Sequence, residues 1–228
     1  MNIKEPKDTT YDSVGRVYNF EDARKAYYSV TTMLSKTADH SWLDKWRERV
    51  GNEEADRICR AATNLGERFH KAMEDWYTSG LVYVPETAEE KIIHLAWNSA
   101  TAQLQKLQYK HIQSEIPLWS DALQLAGRCD ALGYIEGEPT IVDFKLVKTV
   151  RPYDSYEDYR LQCTAYAAMV QERMNITCKR FIVVMASKDG GPTYIISDSP
   201  HKYFSKLRER IIQFRELLEV SNNATAHQ

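Results

Sequence analysis

The spacing of apolar residues along the first half of the chain predicts helices. Over residues 52–77 apolar side chains recur about every 3.6 positions, which is typical of an amphipathic helix. Gly66 interrupts this pattern, and a glycine inside a helix lowers helix stability by about 1 kcal/mol relative to alanine. We therefore expect that a requirement other than helix stability favours a residue without a side chain there. The remaining predicted helical segments are "SVTTML" from Ser29, with Ser29 or Thr31 as its N-cap, a stretch around Trp42, Leu43, Trp46 and Val50, and residues 87–111.

The period then falls from 3.6 to 2, which favours strands. Strands are predicted over residues 115–119, 125–135 and 140–146, and "EGEP" supplies the turn between the last two. They are followed by a helix over 156–174, a strand pair "RFIVVMAS" and "TYIIS" joined by "KDGGP", and an amphipathic helix over 200–220. This order predicts an α/β fold with a central mixed β-sheet flanked by helices, after an N-terminal helical segment.

The same pattern predicts the domain organisation. We expect one domain over residues 1–228, in three parts. These are a mainly helical part (1–112), a sheet core with one helix (113–198), and a C-terminal helix with a tail (199–228). Residues 1–28 have no clear period and are expected to form a short strand or an arm.

Composition and charge narrow the classes of function. The net charge of −2 gives no global attraction to nucleic acid, so a site for a polyanion has to be a local patch. The four cysteines are scattered without a CxxC pair, which favours reduced thiols in a reducing compartment. No secretory signal and no run of about 18 apolar residues is found, so we expect no membrane association and a cytoplasmic protein, in a bacterium or a phage-infected host cell.

Charged residues occupy strand positions in "AGRCDALGYIEGEPTIVDFKLVK". Asp143 and Lys145 share one face of a strand, and a hairpin turning near Gly137 brings Asp130 of the preceding strand close to Asp143. Two close carboxylates repel each other unless a cation such as Mg²⁺ or Mn²⁺ holds them, and Lys145 would then orient a water or stabilise a developing anion. Alone, the pattern also fits an exposed hairpin with an Asp143–Lys145 salt bridge.

Five motifs in order resemble one enzyme family. "GRCDALG" followed by "IVDFK" resembles the core of the PD-(D/E)XK nucleases, in their RecB-like branch. "LGERFHKAME", "SEIPLW" and "YRLQCTAYAAM" resemble the motifs that flank this core, and "SVTTML" is similar to the opening segment of mitochondrial genome-maintenance exonucleases and their phage relatives. The resemblance covers about residues 28–170. The chain departs from it at Leu146, where many relatives have Thr or Ser, and at Cys129, which stands at the proline position of the motif.

The resemblance implies a restriction-endonuclease-like core and a metal-dependent active site. One or two Mg²⁺ or Mn²⁺ ions would be held by His70, Asp130, Asp143 and the Phe144 carbonyl. Glu67 and Glu74 lie on the face of His70 and would orient its ring or join the site, and Glu115 is the least certain addition. The implied catalytic residues are Asp130, Asp143, Lys145, Gln162 and Tyr166. Without the resemblance, His70 also fits a core histidine, and Gln162 with Tyr166 a buried hydrogen-bonded pair.

The implied activity is hydrolysis of phosphodiester bonds by a DNA exonuclease acting on single-stranded or frayed ends. The alternatives are a structure-specific endonuclease with the same site, and a non-catalytic nucleic-acid-binding module. No iron–sulfur cluster is expected, because the chain has no CxxC and no C-terminal cysteine cluster.

Local positive charge and aromatic rings are candidates for binding DNA. Lys148, Arg151 and Arg160 are expected to contact phosphates. Basic residues of the final helix either contact phosphates or are solvated charges balanced by acidic neighbours; they are Lys202, Lys206, Arg208 and Arg210. One or two aromatic residues are expected to stack on unpaired bases, from the set Trp42, Trp46, Tyr153, Tyr156 and Tyr159.

Overall fold

The computed structural model describes residues 3–149 and 156–225, with side chains described as far as residue 220. The strands are β1 (Asp8–Tyr11), β2 (Arg16–Asn19), β3 (Tyr27–Tyr28), β4 (Lys110–Ser120), β5 (Leu125–Ile135), β6 (Glu138–Val147), β7 (Arg180–Ser187) and β8 (Tyr194–Asp198). The helices are α1 (Val30–Lys36), α2 (Ser41–Val50), α3 (Asn52–Ser79), α4 (Ala88–Lys106), α5 (Glu157–Met174) and α6 (Phe204–Thr225), with a 3₁₀ turn at Pro200–Tyr203 before α6.

A five-stranded mixed sheet with the order β4-β5-β6-β7-β8 forms the centre of the fold. Neighbouring strands are antiparallel except for β6 and β7, which are parallel. Parallel neighbours require a crossover connection, and α5 lies in the one that joins β6 to β7. The predicted fold class, a central mixed sheet flanked by helices, is confirmed.

Apolar clusters cover both faces of this sheet. One cluster contains residues of α1, α5 and α6, including Leu161, Val170 and Phe214. The other contains residues of α3 and α4, including Phe69 and Ile93. Strand β6 is buried between them, because Ile141 belongs to the first cluster and Val142 to the second.

A second, three-stranded sheet precedes the helices. Its order is β1-β2-β3, and both pairs of strands are antiparallel. Tyr18, Phe20 and Tyr27 of this segment pack against Trp119 and Ala126 of the larger sheet. The expectation of a short strand or an arm therefore understated residues 8–28, whose strands are too short to show a period of two in the sequence.

The boundary after α4 differs from the prediction. The helix begins as expected, with a capping box formed by Thr87 and Glu90, but it ends at Lys106 and not at residue 111. Gln108 has a φ of +50°, a left-handed conformation that does not continue a helix. Strand β4 starts at Lys110, five residues before the predicted strand, so Glu115 lies in the middle of it.

One of the two N-cap candidates of α1 is confirmed. Ser29 is the N-cap of α1, since its hydroxyl accepts a hydrogen bond from the Thr32 N–H at 2.9 Å. Among the described residues, no helix is both long and apolar enough to cross a bilayer. The single-domain organisation over residues 1–228 stays a prediction.

Candidate active site

Most of the predicted site residues line one cavity of about 900 Å³. Its walls come from α3, α5, α1, the N-terminal sheet and the strands β4 to β6. Eight of the candidate metal-binding and catalytic residues line it, namely Glu67, His70, Glu74, Glu115, Asp130, Lys145, Gln162 and Tyr166. The chain therefore gathers residues that are up to 99 positions apart, from Glu67 to Tyr166, around one space.

The pairing of the strands places three carboxylates at one level of the sheet. Asp130 stands opposite Glu115, between the pairs Ser114–Ala131 and Ile116–Cys129. On its other side β5 pairs with β6 as far as Ala131–Val142, and the next position on each strand is Asp130 and Asp143. The predicted proximity of Asp130 and Asp143 thus follows from the register of the hairpin.

Both backbone groups of Phe144, its N–H and its carbonyl, are hydrogen-bonded to predicted site residues. Its N–H donates to Asp130 Oδ2 at 2.8 Å, so this carboxylate takes the place of a strand acceptor where the β5–β6 pairing stops. The Phe144 carbonyl accepts from His70 Nε2 at 2.6 Å. Because a carbonyl oxygen only accepts, Nε2 carries the proton, and His70 Nδ1 lies 3.5 Å from Asp130 Oδ2.

Glu115 has an unusual backbone and a shielded side chain. Its φ of +49° is uncommon for a residue with a side chain, and Arg128 stabilises this conformation by donating from Nη1 to the Glu115 carbonyl at 2.7 Å. Arg128 also binds Glu5, which ties the start of the chain to this strand. Burial and the charge of Asp130 raise the pKa of Glu115 to about 7. Glu115 was the least certain addition to the site from the sequence, but it lies beside Asp130 and is partly buried.

Asp143 and Lys145 form a shielded ion pair. Lys145 Nζ lies 2.7 Å from the Asp143 carboxylate, whose residue is only 1% exposed, and 5.2 Å from the centre of the Tyr159 ring. Burial raises the pKa of Asp143 to about 6, although Lys145 acts in the opposite direction. Burial lowers the pKa of Lys145, but attraction to Asp143 and Asp130 outweighs it and raises the pKa, so the amine stays protonated.

The donor atoms fit a small divalent cation. His70, Glu115 and Asp130 each offer a ligand atom, and these atoms lie within 4.8 Å of one another. Carboxylate oxygens with one imidazole suit Mg²⁺ or Mn²⁺ better than a thiolate-seeking metal. Asp143 is engaged with Lys145 and does not belong to this group of three, so its role as a ligand stays a prediction, as does that of the Phe144 carbonyl.

Gln162 and Tyr166 lie on the α5 side of the cavity. Both residues are buried and hydrogen-bonded to each other, and both also line the cavity. The ring of Tyr166 rests on the backbone of Gly127, where a Cβ atom would come within 2.9 Å of it. The glycine of "GRCDALG" therefore makes room for this tyrosine.

Glu67 and Glu74 lie on the cavity wall, and among the described residues neither forms a hydrogen bond or ion pair with His70. The polar partners of the His70 ring are the Phe144 carbonyl and Asp130, whereas Glu74 lies 3.5 Å from Lys71. These contacts therefore do not favour the prediction that the two glutamates orient the ring. The alternative, that they join the metal site from the cavity wall, stays a prediction.

The predicted DNA-binding residues differ in how far their side chains are exposed. Lys148 is exposed just after β6, whereas Arg160 is only 3% exposed and is not presented at the surface. Arg210 is also buried, and it donates to Thr37 Oγ1, the Leu34 carbonyl and Asp158. Neither predicted role fits Arg210, which is not a solvated charge and joins α6 to α1 and α5. Arg151 lies outside the described residues.

The remaining predicted DNA contacts also include both exposed and less exposed residues. Lys202 pairs with Asp198 and Lys206 with Glu209, as expected of solvated charges balanced by acidic neighbours, and Arg208 is exposed on α6. Among the aromatic residues Tyr159 lines the cavity, Trp42 is exposed, Trp46 is half-buried and Tyr156 is buried. Tyr153 lies outside the described residues.

The cavity also has a wall that the sequence did not suggest. Arg16 and Tyr18 of β2, together with Ser29 and Thr31 at the start of α1, also line it. No periodic pattern in residues 1–28 pointed to this contribution, because the segment alternates too briefly. Arg128, which supports Glu115, was likewise missed although it stands inside "GRCDALG".

The chain matches one family model and is similar to several solved structures. Residues 37–226 match the sequence model of the PD-(D/E)XK nuclease superfamily. Among solved structures, the chain is similar to an exonuclease candidate of Eubacterium rectale, with 17% identity, a TM-score of 0.48, and coverage of 72% of this chain and 68% of that one. It is also similar to an alkaline exonuclease of Laribacter hongkongensis, with 8% identity, a TM-score of 0.42, and coverage of 71% and 83%. No curated protein matches the chain significantly.

Proposed function

Because the chain belongs to the PD-(D/E)XK nuclease superfamily, we propose that it hydrolyses phosphodiester bonds of DNA with a bound divalent cation, Mg²⁺ or Mn²⁺. One observation carries this proposal. Ligand atoms of His70, Glu115 and Asp130 converge within 4.8 Å of one another in a cavity that also contains Lys145. A protein that only binds nucleic acid has no need for shielded carboxylates of this kind, because they repel phosphates.

His70, Glu115 and Asp130 would hold the cation, with Asp143 added by the resemblance to the family. When bound, such a cation lowers the pKa of a water and offsets negative charge on the phosphate. The raised pKa of Glu115, about 7, supports this role because a nearby cation would favour its ionised form.

Lys145 would act directly on the reacting groups. Its ammonium stays charged beside Asp143 and is fixed over the Tyr159 ring, so its position in the cavity is set before substrate binds. From there it would orient the attacking hydroxide or offset charge on the phosphorane. Gln162 and Tyr166 would face the nucleic-acid backbone from the α5 side.

We propose an exonuclease that takes single-stranded or frayed ends. A cavity of about 900 Å³ is at the upper end of the range for small-ligand sites, so it suits a short piece of one strand better than a whole duplex. An endonuclease with the same site is the alternative. A circular single strand separates the two, since an enzyme that needs an end leaves the circle intact.

The test is digestion of 5′- and 3′-labelled single strands in Mg²⁺, Mn²⁺ or EDTA. We expect cleavage by the wild type with metal, none in EDTA, and a loss of roughly 10²–10³-fold in Lys145→Ala, by analogy with removal of one charge-stabilising donor. Lys206→Ala removes an exposed lysine from α6 and serves as the control with full activity.

Lys145→Ala leaves Asp143 buried without its partner, which is destabilising, so the double variant Lys145→Met with Asp143→Asn provides a second, better-folded test. Undiminished cleavage by folded forms of both variants would discard the proposal. Titration with Mn²⁺ by calorimetry distinguishes a binding module, which would show no site that Asp130→Asn removes.

A further inference from the structure

Arg16 is held at a defined position beside the cavity. Its backbone N–H donates to Thr32 Oγ1 at 3.0 Å, and its carbonyl accepts from the Ser29 N–H at 2.8 Å. The preceding Gly15 allows this close approach, because a Cβ atom there would lie 2.4 Å from the Thr32 side chain. The start of β2 is therefore locked onto α1, and Arg16 is fixed where it lines the cavity.

The side chain of Arg16 is oriented by two phenols. Nε donates to Tyr11 Oη at 2.8 Å and Nη1 to Tyr18 Oη at 3.3 Å, and the guanidinium lies 5.5 Å from the centre of the Tyr11 ring. A guanidinium has five N–H donors, so three remain, including both on Nη2. These three have no acceptor among the described residues.

Arg16 differs from the other cations around the cavity. Lys71 pairs with Asp75, Arg128 with Glu5 and Lys145 with Asp143. Within the described part of the chain, no carboxylate lies within ion-pair distance of Arg16. An oriented guanidinium with free donors and no counter-charge suits a phosphate, which accepts two parallel hydrogen bonds from it.

The negative charge of the cavity means that a bound strand needs a contact with a positive group such as Arg16. Glu67, Glu74, Glu115 and Asp130 line the same space and repel a phosphodiester strand. We propose that Arg16 binds a non-bridging oxygen pair of a phosphate in the substrate strand, next to the phosphate that is cleaved. This inference rests on the proposed function, and it makes the N-terminal sheet the part of the molecule that holds the strand in place.

The first measurement is the affinity for a labelled single-stranded oligonucleotide in EDTA, with steady-state cleavage in Mg²⁺ beside it. We expect Arg16→Gln to bind roughly 10- to 100-fold more weakly and to raise KM much more than it lowers kcat. The slope of log affinity against log salt should fall by about 0.7, the value for one phosphate contact to a single strand. Arg16→Lys should restore the slope and part of the affinity.

The second measurement separates a phosphate contact from a structural role. Oligonucleotides that each carry one uncharged methylphosphonate linkage should reveal a position where the wild type loses affinity. Arg16→Gln should be insensitive to the neutral linkage at that position, because the contact is already gone. Arg24→Gln is the matched control, since Arg24 is exposed in the same N-terminal segment but does not line the cavity.

The outcomes are distinguishable. If the wild type cuts DNA and Arg16→Gln keeps its KM, salt slope and methylphosphonate pattern, the inference is overturned and the nuclease proposal stands. A change in KM with an unchanged slope and pattern overturns it too, because that result indicates a structural role. A wild type that neither cuts nor binds DNA overturns the proposed function itself.

Discussion

The two sheets of this protein are stabilised by different interactions. The five-stranded sheet is covered on both faces by apolar clusters in which residues such as Phe181 and Val184 are fully buried. The three-stranded sheet has a small apolar cluster and depends in addition on polar contacts, such as Tyr27 Oη to Asp121 and Tyr28 Oη to Asp12. Both sheets contribute to the candidate cavity, with Glu115 and Asp130 on the larger sheet and Arg16 on the smaller one.

This difference suggests how the site divides its tasks. Groups that act on a phosphate need fixed positions, which a sheet buried on both sides provides. A surface that admits and releases a strand benefits from lower local stability, and fewer buried apolar contacts give that. The small sheet should therefore open more readily than the large one.

The largest expected effect is on the large sheet. Phe181→Ala should lower the free energy of unfolding by about 3–5 kcal/mol, because it empties a fully buried position in β7. Denaturant unfolding followed by circular dichroism measures it. Phe204→Ala is the control, because this phenylalanine on α6 is 41% exposed and should cost far less. Equal losses in the two variants would contradict the view that apolar burial holds the large sheet.

A smaller effect is expected from removing a polar contact of the small sheet. Tyr27→Phe deletes the hydrogen bond to Asp121 and should cost about 1 kcal/mol. Hydrogen exchange should show faster exchange in β1 to β3 while the amides of α5 keep their protection. Uniform acceleration across both regions would show that the two sheets open as one unit.

The same contact predicts a dependence on alkaline pH. Burial, followed by the hydrogen bond to Asp121, raises the pKa of Tyr27 from 10.0 to about 12. Because the folded phenol holds its proton more tightly than the unfolded one, its contribution is complete below pH 10 and is lost as the pH rises toward 12. Tyr27→Phe should flatten this part of the stability curve, and Tyr28, whose pKa is also raised to about 12, should account for a further part.

The sequence predicted the parts of the site that local periodicity determines. The turn near Gly137 and the alternation of β5 and β6 were enough to bring Asp130 and Asp143 together, because register follows from a short hairpin. This prediction needed only neighbours in the chain. The assignment of His70 to the site came instead from the resemblance to the nuclease family, because the apolar pattern of α3 alone also fits a core histidine.

Other features depend on contacts that no local pattern encodes. Arg160 and Arg210 looked like surface charges, yet both are buried, and Arg210 satisfies acceptors on α1 that lie more than 170 residues away. The approach of Arg16 to the cavity depends on how the small sheet docks on α1. The early start of β4 was hidden because the apolar spacing of α4 continues by chance to Leu107.

The smallest expected change concerns Gly66, where helix stability and function make opposite demands. This glycine lies inside α3 and lines the cavity, and a Cβ atom added there would meet nothing within 4 Å. Gly66→Ala should therefore raise the free energy of unfolding by about 0.5–1 kcal/mol through helix propensity alone. If a nucleic-acid strand approaches this backbone closely, the same methyl group should lower kcat/KM for a single-stranded substrate.

Asn64→Ala, at an exposed position of α3 away from the cavity, is the control that should gain stability without losing activity. Gly66→Ala with increased stability and undiminished cleavage would mean that the strand does not pass over α3 at this point, and the path of the substrate would then have to follow the side of the cavity formed by Arg16 and α5.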